Sequence, residues 1–152
     1  MHKLISAFAL FAFATTLLAQ SPFAGTWKLD TAKTKYTSGE APKDITLVIE
    51  EQGDNFSVTV TGTNADGSPL SRKYTVPVKG GSGQIQEGSS FDAVTSKAVS
   101  ARVRENSYSK NGKQISWHRV TVSKDGKTLT STVKGVDAEG KTVAGTDVFE
   151  KQ

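Results

Sequence analysis

The chain has no cysteine among its 152 residues, a single methionine and two histidines. Disulfides, thiolate nucleophiles and soft metal sites are excluded, and so is lipid attachment of the usual bacterial kind at an N-terminal cysteine. Apolar residues form only one long run, Leu4 to Ala14, behind a lone Lys3 and ahead of Thr15-Thr16-Leu17-Leu18-Ala19. A basic start, a short apolar middle and a small residue before Gln20 are the pattern of a secretory signal over 1–19, cut after Ala19. The run is too short for a membrane anchor and has no basic stop flank, so no stable membrane insertion is expected after cleavage. Met1 and His2 leave with the signal, and His118 is then the only histidine. The formal charge of +4 falls to +3 when Lys3 is lost, and its cations are interspersed with acids. No basic run accompanies an aromatic stacking platform, so nucleic acid is not an expected partner.

Residues 20–152 have the length of one domain able to bury its own core. Turn signals recur at Gln52-Gly53-Asp54-Asn55, Asn64-Ala65-Asp66-Gly67, Lys110-Asn111-Gly112, Lys124-Asp125-Gly126 and Asp137-Ala138-Glu139-Gly140. Asn-Gly and Asp-Gly pairs supply the positive φ of tight hairpins, so neighbouring segments should pair antiparallel. Between the turns, apolar residues alternate with polar ones: Ile45, Leu47 and Ile49; Phe56, Val58 and Val60; then Leu70, Tyr74, Val76 and Val78, with Arg72 on the same face. No segment carries a helical stripe. The expectation is an all-β, antiparallel up-and-down barrel of about 8–10 strands, closed because closure removes exposed edges.

Phe23-Ala24-Gly25-Thr26-Trp27-Lys28-Leu29 at the expected mature start and the ending Val148-Phe149-Glu150-Lys151 resemble the calycin superfamily, the lipocalins and fatty-acid-binding proteins. Asp30-Thr-Ala-Lys-Thr-Lys-Tyr36 and Ser123-Lys-Asp-Gly-Lys-Thr-Leu-Thr130 are similar to small exported bacterial lipocalin-like proteins. The resemblance implies that Gly25 and Trp27 form the closed floor of the barrel, with the Trp27 ring beneath a cationic side chain from a late strand. It also implies where a fatty-acid carboxylate anchor would lie. There Asp147 stands in place of the arginine and Phe149 in place of the tyrosine, while Arg119 fits an earlier arginine only loosely. An aspartate repels a carboxylate and a phenylalanine has no hydroxyl, so a free fatty acid is disfavoured. The two lid helices of fatty-acid-binding proteins have no counterpart in the polar stretch 31–43, expected as a loop or one short turn.

Strand alternation places Asp147 inward with Val143 and Phe149, and Arg119 inward with Ile115 and Trp117. Asp147 is then expected to pair with Arg119 or Arg72, or to orient a neutral or cationic ligand. By the same alternation His118 faces outward. Glu50 and Glu51 lie on opposite faces and cannot share a proton, and no nucleophile-and-base set is visible, so no enzyme is expected. No cofactor is expected either. The favoured function is an exported lipocalin-like barrel binding a small, largely apolar ligand, with Tyr74, Trp117 and Phe149 as walls and Arg72, Arg119 and Asp147 as polar contacts. The alternative is a structural or interaction barrel of the cell envelope with a side-chain-filled interior. A haem-binding calycin, using His118, or an enzymatic one is the least supported reading.

Overall fold

A computed structural model describes residues 20–88 and 90–152, so the expected signal at 1–19 lies outside the described residues. The strands are β1 (Gly25–Leu29), β2 (Lys35–Ser38), β3 (Asp44–Gln52), β4 (Asn55–Thr63), β5 (Pro69–Pro77), β6 (Gly81–Ser82), β7 (Gln84–Glu87), β8 (Ala93–Ser100), β9 (Val103–Lys110), β10 (Lys113–Val122), β11 (Thr128–Val136) and β12 (Thr142–Lys151). Nine of the twelve have five residues or more, within the expected count. The other three, β2, β6 and β7, are short pairings of two to four residues. The whole is one antiparallel sheet rolled into a nearly closed barrel, in the order β8-β9-β10-β11-β12-β1-β3-β4-β5.

Both closures are informative. The first and last long strands pair directly, Trp27 with Lys151 and Leu29 with Phe149, so the two ends of the described chain share one wall. On the far side the wall is stitched by β6 and β7, where Gly81 pairs with Ser96 of β8 and Ile85 pairs with Tyr74 of β5. A seam carried by so few residues needs a brace, and Arg104 on β9 supplies it. Its guanidinium donates to the carbonyls of Val78 at 2.6 Å and Pro77 at 2.8 Å and to Ser96 Oγ at 2.8 Å. Its face lies over Phe56, 5.1 Å from the ring centroid.

The stretch 31–43 departs from expectation. Instead of plain loop it contains β2, whose Tyr36 and Ser38 are half-buried while Lys35 and Thr37 are exposed. β2 pairs with β12, Tyr36 opposite Gly145. A β-carbon at Gly145 would collide with the Tyr36 ring and with the Lys35 carbonyl. The missing side chain is thus the notch that lets the strand lie flat.

Candidate functional site

The barrel surrounds a partly open cavity of about 1280 Å³. Its floor is Trp27, which has no exposed surface and donates from Nε1 to the Phe23 carbonyl at 2.9 Å. Lys151, from the last strand, crosses Gly25 and sets its ammonium 5.0 Å from the Trp27 ring centroid. Phe23, Phe56, Leu129 and Phe149 pack around this end. Above them β3, β4 and β5 contribute an apolar wall of Ile45, Leu47, Ile49, Val58, Val60 and Leu70. Alternation produces it, since these are the inward halves of hairpins whose other halves are largely Thr, Ser and Lys.

The lining also carries polar residues, Glu40, Asp66, Lys110 and Lys141 among them, and buried side chains form two polar groups within it. The first gathers around Arg72 on β5, which stacks on Phe91 at 5.7 Å. The Tyr74 and Tyr108 hydroxyls meet 3.0 Å apart, and burial raises the pKa of both phenols. The His118 ring lies 4.9 Å from that of Tyr108, with Nε2 2.9 Å from Ser116 Oγ. Burial, and then the charge of Arg72, pushes His118 down to about 4, so the imidazole is neutral near pH 7.

The second polar group is Asp147, only 5% exposed. Its Oδ2 accepts from the Tyr36 hydroxyl at 3.2 Å, and its Oδ1 has no hydrogen-bond partner. Burial raises its pKa to about 6 against the lowering effect of Tyr36, while burial and then the carboxylate raise that of Tyr36. Among the described residues no cation forms a salt bridge with it, which corrects the expected pairing with Arg119 or Arg72.

The expected inward residues divide. Arg72, Tyr74, Asp147 and Phe149 line the cavity. Trp117 and Arg119 do not: Arg119 pairs with Glu105 on the outer face, and Trp117 lies under Lys134, in a shallow external groove of about 430 Å³. His118 is inward, not outward. One bulge accounts for all three corrections. The β9–β10 register shifts between Gln114 and Ser116, leaving Ile115 as the extra residue, so parity counted from Ile115 inverts for everything after it.

Lining residues that went unrecognised as candidates include Tyr36, Arg104, Asn106, Tyr108 and Ser116. Period-two counting on β9 would have exposed Asn106 and Tyr108, together with Arg104. Tyr36 stood in a stretch read as loop. Among the described residues, no group of three His, Asp or Glu side chains is placed to hold a metal ion.

No family model matches the sequence, and no curated protein matches it. Among solved structures, the chain is similar to a redesigned β-barrel, mFAP1, bound to DFHBI, with a TM-score of 0.45 and 14% identity over 86% of this chain and 95% of that one. It is also similar to apocrustacyanin C2, with a TM-score of 0.46 and 13% identity over 90% of this chain and 64% of the other. A third likeness is to lobster apocrustacyanin A1, with a TM-score of 0.45 and 14% identity over 88% and 63%. The chain thus spans under two thirds of either crustacyanin.

Proposed function

We propose that this protein is an exported, lipocalin-like carrier that takes a small, largely apolar molecule into its lumen and performs no catalysis. The observation that carries the reading is the cavity itself. About 1280 Å³ is above the usual range of small-molecule sites, roughly 300–1,000 Å³, and aliphatic and aromatic side chains form much of its wall, with polar residues set among them. A barrel serving only as a scaffold gains by packing large side chains into that space, because voids forfeit dispersion contacts. Export rests on the signal pattern at 1–19. Neither nucleic acid nor a membrane is required as a partner.

An environment-sensitive apolar dye tests the reading. Its emission should rise and shift to the blue on mixing with the protein, and Val60→Trp, which places a bulky ring in the lumen, should abolish the response while the protein still melts cooperatively. An unchanged response in Val60→Trp would locate the dye elsewhere and remove the support for a lumenal site. Native mass spectrometry of protein purified from its own host should show a bound small molecule.

A further inference from the structure

The outstanding oddity of the lumen is a carboxyl group with nothing to hold. Asp147 is almost wholly buried, lines the cavity, and has one oxygen engaged by Tyr36 and the other by no group. Leaving an acceptor of this kind unpaired costs about 1–3 kcal/mol, and more when it is charged. Of the cations that line the cavity, Arg72, Arg104, Lys110 and Lys141, none forms a salt bridge with it. Arg104 is spent on the seam carbonyls. Arg72 stands on β5, four strands from β12 one way round the barrel and five the other, and therefore on the opposite wall. A second lumenal oxygen, Asn106 Oδ1, is also without a partner. Both orphaned atoms are acceptors, so the missing partner is a donor.

We infer that the lumenal ligand is an apolar molecule bearing a hydrogen-bond-donating head, an amine above all, and that this head seats against Oδ1 of Asp147 beside the Tyr36 hydroxyl. The inference rests on the lumenal-carrier reading. An alkylammonium group supplies both the donor and the countercharge that the carboxylate lacks, while the chain lies against the aliphatic wall of β3 and β4. A carboxylate ligand meets repulsion at Asp147 and would have to turn its head to Arg72. A neutral alcohol satisfies the hydrogen bond without the charge. The order of affinity is therefore amine, alcohol, carboxylate.

Decylamine, decanol and decanoate, at concentrations below aggregation, compete with the lumenal dye in the intact protein. At about pH 7 the amine should bind about tenfold or more tightly than the alcohol, and Asp147→Asn should erase that advantage while changing alcohol affinity less than about threefold. Unmodified protein provides a second readout that needs no variant. Amine affinity should fall as the pH drops through about 6, where Asp147 gains a proton, and alcohol affinity should stay level. Tyr36 on β2 is the titratable group packed on Asp147 and ionises far above this range; the facing residue of β11, Ser131, does not titrate. His118, two strands away on β10, titrates near 4. An amine that binds no better than the alcohol, or a carboxylate that binds best, overturns the assignment of the head group and leaves the carrier intact. Failure of all three to displace a dye that Val60→Trp excludes overturns the head-group assignment alone, and a dye response unchanged in Val60→Trp overturns both.

Discussion

Asp147 and His118 are displaced in opposite senses by the same cause, enclosure in the lumen. Asp147 goes from 3.8 to about 6, so it holds its proton more firmly in the folded state, and its contribution to stability is full below about 4 and lost as the pH rises through 6. His118 goes from 6.5 to about 4, so its contribution is full above 6.5 and lost as the pH falls through 4. Each displacement corresponds to about 3 kcal/mol, and the two slopes cancel over most of their shared window. Unfolding free energy from urea titrations should therefore be nearly flat between about pH 4 and 6.5 in the natural protein. Asp147→Asn should make it rise with pH over that range and add about 2–3 kcal/mol near pH 7; His118→Gln should make it fall. The acids whose pKa is lowered, Asp30, Asp66 and Asp125, titrate below the window and leave it undisturbed. At the floor, Trp27→Ala removes the largest fully buried side chain and should cost about 3–5 kcal/mol in the same titration.

At the scale of the strand, legibility depended on regularity. β3, β4 and β5 alternate without interruption, and the inward positions read from Ile45 to Val78 line the lumen or pack on its core. β10 does not. No turn residue marks its bulge at Ile115; the register shift arises from how β9 and β10 meet, which residues 113–122 alone do not encode. Trp117, Arg119 and His118 were misplaced together for that one reason. β2 was illegible because its partner lies more than a hundred positions away, and four alternating residues are no signal without it. The notch at Gly145 offers a test of that pairing. Gly145→Val should expel the Tyr36 ring, speed amide exchange at 35–38 and, by removing a donor from Asp147, raise its pKa further. At the seam, Arg104→Met should lose about 3 kcal/mol and accelerate exchange at 78–87 ahead of the other walls.

The architecture as a whole was the most legible level, because a succession of hairpin turns between alternating segments leaves few arrangements other than a meander, and a meander of this length closes. What the turns could not convey was that closure takes two forms, a full ladder between β1 and β12 and a short stitch at β6 and β7. The ladder predicts that a permuted chain, with 152 joined to 20 and new ends at Asn111–Gly112, should melt cooperatively and retain the dye response. Deleting 148–152 should abolish both. That ladder also governs when the protein begins to exist as a container. Residues 25–29 have their outer partner only once 149–151 have been made, so every shorter product, whether from interrupted synthesis or from a nick near either end, is an open sheet with its greasy face uncovered. Such fragments belong to chaperones, proteases or aggregates, because none of them closes a lumen.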